Sequence, residues 1–177
     1  VLVMMGLSLS VTANAGMDRM LLQAVVKGDQ SEVKNLIEKG ADVSATDYGK
    51  TSLIWAARTG KLEVAKILIE KGADVNANDY SGITVLMNAA MYGDPEVVKI
   101  LIEEGADVSA TTKDGITVLM TAVADGNTKI AKILKEGNPE VAKILIEKGA
   151  NVSATNNYGV TALMLAARNG NREAVKI

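Results

Sequence analysis

The string Gly49-Lys50-Thr51-Ser52 is the part of this chain whose residue types come closest to a chemical site. It has the residues that end a phosphate-binding loop, in which a lysine and a hydroxyl group follow a glycine. That loop also requires an earlier glycine at position 44, where Ser44 stands. The same turn recurs at Gly82, Gly115 and Gly159 without the lysine. We therefore expect no nucleotide site in this string.

The chain has 177 residues and contains no histidine and no cysteine. A Ser-His-Asp or Cys-His nucleophile, an imidazole acid or base and an ordinary zinc site each need one of these residues. The aspartates, for example Asp94 and Asp107, fit helix caps and turns and form no calcium-loop pattern. The sequence predicts a protein that is not an enzyme and that needs no cofactor, metal or small-molecule ligand.

The charge of the chain also limits its partners. The formal net charge is −2, which gives no overall field to attract nucleic acid or an acidic membrane. Lysine and glutamate instead stand at helical neighbour spacing, which predicts solvated ion pairs on outer helices. The predicted pairs are Lys66/Glu70, Lys99/Glu103 and Lys143/Glu147.

The elements that position these residues are copies of one unit. The string Gly-Ala-Asp-Val begins at residues 40, 72 and 105, and Gly-Ala-Asn-Val begins at residue 149. A second marker, Gly-x-Thr-x-Leu, begins at Gly49, Gly82, Gly115 and Gly159, in steps of 33, 33 and 44 residues. A period near 33 is typical of a solenoid built from helix pairs. Such a solenoid offers a binding surface rather than an active site.

One period shows the physical reason for the repeat. Thr84 is placed to cap a short helix that Gly93 ends, and Asp94-Pro95 begins a second helix that ends before Gly105. Neither helix can bury its apolar face alone, so each unit must stack on the next. The segment between units, from Asp107 onward, reads as an extended finger turned by glycine.

These units resemble the ankyrin repeat family. The matching stretches begin at Thr51, Thr84, Thr117 and Thr161, as in Thr84-Val-Leu-Met-Asn-Ala-Ala, and the resemblance covers the chain from about Asp18 onward. It implies an all-α ankyrin repeat solenoid of helix-turn-helix units joined by extended finger or β-hairpin loops. About five repeats are expected, the last one incomplete. Their approximate ranges are 16–45, 46–78, 79–111, 112–155 with an 11-residue insertion near 127–138, and 156–177.

The chain departs from the family's Thr-Pro-Leu-His motif at two positions. The proline position holds Ser52, Val85, Val118 and Ala162, and the histidine position holds Ile54, Met87, Met120 and Met164. Apolar packing must therefore replace the family's histidine hydrogen bonds, with methionine filling irregular gaps. The first finger, from Val43 to Gly49, is also one residue shorter than the others, which predicts a displaced tip.

The insertion looks like a duplication of the second-helix segment. We expect a short extra helix at 128–136, a turn at Gly137-Asn138-Pro139, and the true second helix at 139–148. Two interpretations remain open: a tolerated surface insertion and a functional elbow.

Residues 1–15 do not belong to the repeat. They read as the remnant of a secretory signal peptide that ends at Ala13-Asn14-Ala15, leaving a repeat domain at 16–177 in which Asp18 caps the first helix. The alternative is an N-terminal capping helix. A signal predicts a periplasmic or secreted protein, and the alanine-methionine cores resemble bacterial members of the family. At the other end, the last unit is expected to expose the apolar faces of Leu163, Ala166, Ala174 and Val175.

The family resemblance implies a non-catalytic module whose concave face binds another protein, of unknown identity, with no nucleic acid and no membrane after signal cleavage. An alternative is a docking or autoinhibitory segment of a larger enzyme or secreted effector, and a third is a structural scaffold. The finger tyrosines could contact the partner or pack on a neighbouring backbone. Carried over by position, the predicted concave surface is Tyr48, Lys50, Arg58, Thr59, Tyr80, Ser81, Ile83, Met91, Tyr92, Lys113, Asp114, Ile116, Asn157, Tyr158, Val160, Arg168 and Asn169.

Overall fold

The structure is a computed structural model that describes residues 2–92, 94–124 and 139–177, with the backbone alone for residues 2–14. Most of the described residues lie in helices, and each helix except α1 has nine residues or fewer. The elements in chain order are α1 (Leu2–Lys27), α2 (Gln30–Glu38), β1 (Thr46–Asp47), β2 (Lys50–Thr51), α3 (Ser52–Arg58), α4 (Leu62–Glu70), α5 (Val85–Tyr92), α6 (Pro95–Glu103), α7 (Val118–Val123), α8 (Pro139–Glu147), α9 (Ala162–Arg168) and α10 (Arg172–Lys176).

The helices form two layers with the core between them. The first helix of each unit (α1, α3, α5, α7, α9) packs against the first helix of the next unit, and the second helices (α2, α4, α6, α8, α10) stack in the same order. Leu53, Leu86 and Leu119 stand at one repeat position and are all buried between the layers. This architecture confirms the predicted all-α solenoid of helix pairs.

The helix caps follow the predicted pattern. The threonine Oγ1 before each first helix from α3 onward accepts the N–H three residues later, as from Met87 to Thr84 at 3.2 Å. Asp94 caps α6 by accepting the N–H of Glu96 at 2.9 Å, and Pro95 occupies the first turn. Asp29 caps α2, and the Glu32 N–H donated to its carboxylate lowers the pKa of Asp29.

The layer at the family's histidine position is apolar, as expected. Ile54, Met87 and Met120 are fully buried, whereas Met164 in the last unit is 56% exposed. Ser52, at the proline position, is buried too, and its Oγ has no hydrogen-bond partner among the described residues. The layer therefore depends on packing between neighbouring units, which the last described unit lacks on one side.

The first finger differs from the others because it is one residue shorter. Strands β1 and β2 pair in the register Thr46↔Thr51 and Asp47↔Lys50, which leaves two residues in the turn. These are Tyr48 at φ 49° and Gly49 at φ 74°, the left-handed pair of a type I′ turn. The later fingers have longer turns and one bridge each, such as Asn78↔Thr84. The displaced tip is therefore a tighter hairpin.

Asp18 does not cap a helix, and that prediction is wrong. Helix α1 runs without a break from Leu2 to Lys27, so Asp18 lies inside it. Its Oδ1 instead accepts the N–H of Asp42 at 2.8 Å, which ties α1 to the loop after α2. No helix among the described residues is both long and apolar enough to cross a bilayer.

In two of the three predicted ion pairs, the lysine pairs with a different glutamate from the one predicted. Lys66 pairs with Glu63 at 2.8 Å and Lys99 with Glu96 at 2.6 Å, in place of Glu70 and Glu103. Side chains on a helix lean toward its N-terminus, so each lysine reaches back to the first turn. The hydrogen bond from Lys99 to Glu96 raises the pKa of Lys99. The third pair, Lys143 and Glu147, forms as predicted at 4.0 Å.

The structure tests part of two further predictions, which concern the insertion near 127–138 and the apolar faces of the last unit. The segment 127–138 lies outside them, while helix α8 (Pro139–Glu147) stands where the true second helix was expected. In the last unit Leu163 and Val175 are exposed, as predicted. Ala166 is buried in the core and Ala174 is half-buried against it, so both depart from the prediction.

Candidate functional site

The candidate site is the surface formed by the finger turns and the adjoining side of the first helices, which we call the concave face. Within each of the three later fingers, one side chain fixes the turn. The oxygens of Asp79, Thr112 and Asn156 accept the N–H four residues later, at 3.1, 3.2 and 3.0 Å. The backbone N–H of the same three residues donates to the carbonyl of that later residue at 3.0 Å. The turns are therefore held in one conformation.

Neighbouring fingers are joined by a ladder of three residues at the same repeat position, Tyr80, Lys113 and Asn157. The Tyr80 ring covers Gly49, where a β-carbon would lie 2.7 Å from the ring. Lys113 Nζ donates to the Tyr80 carbonyl at 3.2 Å, and Asn157 Nδ2 donates to the Lys113 carbonyl at 3.1 Å. These three predicted contact residues therefore also hold the fingers together.

The finger tyrosines do not form one column. Tyr48, Tyr80 and Tyr158 are 84%, 79% and 80% exposed, so all three present their rings to solvent. Only Tyr80 belongs to the ladder, since Asn157 rather than Tyr158 stands over Gly115. Tyr80 thus packs on a neighbouring backbone, while Tyr48 and Tyr158 lie at other positions of their turns.

Lys50 is joined to the next finger by an ion pair. Its Nζ lies 3.5 Å from Asp79 Oδ2, and the Asp79 carboxylate is largely buried. The other oxygen of Asp79 accepts the backbone N–H groups of Ser81 and Ile83. The Lys50 ammonium therefore neutralises a carboxylate that also fixes a turn. Because Lys50 is already paired, it attracts an acidic partner less than a free lysine would.

On the first helices, Trp55, Arg58 and Tyr92 form a cluster that the sequence did not reveal. The Arg58 Cζ lies 4.3 Å from the centre of the Tyr92 ring and 6.0 Å from the centre of the Trp55 ring. All three side chains are half-buried, and Thr59 Oγ1 donates to the Trp55 carbonyl at 2.8 Å. The cluster spans two units and presents a cation held between aromatic rings.

The other predicted residues vary in exposure. Ile83 and Ile116 are half-buried and pack on the core, which limits what they offer a partner. Ser81, Asp114 and Arg168 are exposed, and the remaining ones are half-buried: Met91, Val160 and Asn169.

A groove of about 780 Å³ opens between α1 and the first finger. Tyr48 and Trp55 line it, together with residues that the sequence analysis missed: Arg19, Gln23, Lys27 and Asp47. Those on α1 recur at a spacing of four, opposite the buried Leu21, Ala24 and Val25. This spacing of four on α1 is the sequence signal for a second exposed face. The threonine motif, which marks the first helices of the other units, is absent from the first unit and so does not indicate this face.

This face carries aromatic rings, hydrogen-bonding groups and a cation. Within the part of the chain that the structure describes, no three acidic side chains converge in the way a metal ion requires. The surface has a groove, exposed tyrosines and an arginine that stacks on an aromatic ring. Tyrosine and arginine are enriched at protein-binding hot spots.

Comparison with known families agrees with this geometry. A model described as ankyrin repeats (3 copies) matches residues 86–177, and one described as ankyrin repeats (many copies) matches residues 21–69 and 53–102. The chain belongs to the ankyrin repeat family, whose repeats are generally protein–protein interaction modules and typically non-catalytic. No curated protein matches the chain with significant similarity.

Proposed function

We propose that the chain is a non-catalytic binding module whose concave face holds a segment of another protein. The observation that carries this proposal is the groove of about 780 Å³ between α1 and the first finger, bordered by Tyr48 and Trp55. A groove of this size accepts several side chains, and exposed aromatic rings supply contact area at low entropic cost. The ladder and the turn hydrogen bonds hold the face rigid, which reduces the ordering cost of binding.

Site-specific photo-crosslinking tests the proposal in cells that express the full chain. A photoreactive amino acid at position 48 should form adducts with a protein partner. The matched control is the same amino acid at position 143 on α8, where the Lys143 side chain is 67% exposed on the outer layer. Adducts from position 48 and none from position 143 are expected. Adducts from position 143 alone would place the binding surface on the second helices instead.

A second measurement uses Trp55, which is the single tryptophan of the chain. The partner identified by crosslinking is purified separately and titrated into the purified protein. Its binding should change the Trp55 fluorescence emission, because the Trp55 ring lines the groove. Tyr48→Ala should weaken this binding without lowering the melting temperature. Unchanged emission on binding would contradict the proposed location.

The proposal includes export. Cleavage after Ala15 would leave Gly16–Lys27 as the first helix of the mature protein, and Leu21 and Val25, which pack in the core, lie after that site. Mass spectrometry of the protein recovered outside the cytoplasm should give Gly16 as the first residue. A mature protein that retains Met4 and Met5 would contradict a cleaved signal.

A further inference from the structure

The cluster of Trp55, Arg58 and Tyr92 carries an inference that rests on the proposed function and makes it more specific. The Arg58 guanidinium stacks on the Tyr92 ring of the next unit, at 4.3 Å from its centre. Stacking uses the flat faces of a guanidinium and leaves its N–H groups free along the edge. The side chain is thus held in place, and its hydrogen-bond donors are not consumed by the contact that holds it.

Among the described residues, none pairs with the donors of Arg58. No described residue accepts a hydrogen bond from Arg58 or forms an ion pair with it. Asp94 of the next unit lies beside Gly60, but its carboxylate caps α6 and forms no ion pair with Arg58. Helices α3, α5, α7 and α9 contain no acidic residue at all. Since Arg58 pairs with no described residue, its donors are available to an incoming carboxylate, which would form charge-assisted hydrogen bonds with them.

We propose that Arg58 is the receptor for one carboxylate side chain, an aspartate or glutamate of the partner segment that occupies the concave face. The planar fork of arginine matches a carboxylate with two parallel hydrogen bonds. Lys50 is already paired with Asp79, and Lys113 donates to the Tyr80 carbonyl. Arg58 is the one cation on helices α3, α5 and α7, while Arg19 and Lys27 lie on α1 along the groove.

The chain contains its own control. Arg168 ends α9 at the repeat position that Arg58 occupies on α3, but it is exposed, and no aromatic ring of a described residue stacks on it. If repeat position and charge alone were sufficient to bind a carboxylate, substitution of either arginine would weaken binding equally. If the aromatic rings of Trp55 and Tyr92 create the receptor, substitution should cost more affinity at Arg58 than at Arg168.

The test selects binders from a random-peptide library displayed on phage, with the full chain as bait, and measures the synthetic peptides by Trp55 fluorescence. We expect the selected peptides to share an acidic residue at one position. Arg58→Lys keeps the charge but loses the fork, and it should weaken binding roughly ten-fold or more. Amide replacement of the shared acidic residue should cause a similar loss, and the two changes together should cost no more than either alone. Arg168→Lys should weaken binding less than Arg58→Lys does, and Arg172→Lys on the outer helix α10 should leave affinity unchanged.

The outcomes separate this inference from the proposed function. Selected peptides without a shared acidic residue, or equal effects of Arg58→Lys and Arg168→Lys, would overturn the carboxylate receptor. The concave face would still stand if Tyr48→Ala weakened the same peptides. Peptides that are insensitive to both Tyr48 and Arg58, or a selection without binders, would contradict both proposals. Thermal melting of Arg58→Lys verifies that the variant remains folded.

Discussion

The aromatic ring of Tyr80 lies directly over Gly49 of the preceding finger, so closely that a β-carbon at position 49 would be 2.7 Å from the ring. Gly49 also has φ 74°, a conformation that side chains rarely adopt. A glycine is therefore required at this position for two reasons, one local and one between units. The contact couples the geometry of neighbouring fingers on the face that we propose for binding.

Gly49→Ala is expected to destabilise the protein by about 2–3 kcal/mol, the sum of left-handed strain and displacement of the Tyr80 ring. Gly72→Ala is the matched control, since Gly72 has φ 86° with nothing within 4 Å of its added β-carbon. It should cost about 1 kcal/mol. Chemical denaturation followed by circular dichroism measures both. Equal losses would mean that the Tyr80 contact adds nothing, and Tyr80→Ala in the Gly49→Ala background should recover the extra loss.

Tyr48→Asn is expected to stabilise the fold while it weakens partner binding. Tyr48 is the one non-glycine residue with positive φ among those described, and Asn-Gly is the preferred pair in a type I′ turn. The gain in the free energy of unfolding should be about 0.5–1 kcal/mol. Tyr158→Asn, equally exposed but without positive φ, should stay within about 0.5 kcal/mol of the parent. A loss of stability at position 48 would show that its ring supports the hairpin.

Two leucines at one repeat position should lose very different amounts of stability on the same substitution. Leu86 is 1% exposed, and Leu163 is 55% exposed. Leu86→Ala should cost about 2–5 kcal/mol because it leaves a cavity between the layers. Leu163→Ala should cost less than about 1 kcal/mol. Denaturant titration of the two variants provides the measurement. A similar cost at both positions would mean that Leu163 is covered in solution.

Amide exchange should be slowest in units two and three and fastest from about residue 160 onward. The last described helices, α9 and α10, have neighbours on one side, and an apolar cavity of about 410 Å³ lies beside them, lined in part by Leu163, Val175 and Ile177. Stability in a solenoid is the sum of each unit and its interfaces, so a unit with one interface opens first. Hydrogen exchange with mass spectrometry resolves this gradient. Uniform protection would contradict the nearest-neighbour picture.

Much of the fold could be predicted because its determinants are local. The threonine caps, the Asp94-Pro95 start of α6 and the shortened first finger all depend on residues within a few positions of one another. Asp18 was assigned wrongly because a cap and a helix interior can share the same short sequence. Its real partner, the Asp42 N–H, is 24 residues away. The lysine pairs were shifted because spacing alone does not say which way a side chain leans.

The sequence by itself determined the repeat period, the helix pairs, the apolar positions between layers and the family. These follow from patterns that recur from unit to unit and that place apolar side chains where stacked units bury them. Only the tertiary structure decided that Tyr80 covers Gly49, that Arg58 stacks on Tyr92 and that α1 walls a groove with Trp55. Each of these contacts joins different units. It depends on how one unit is rotated against the next and on which rotamer that rotation allows, and neither is written in the spacing of residues along the chain.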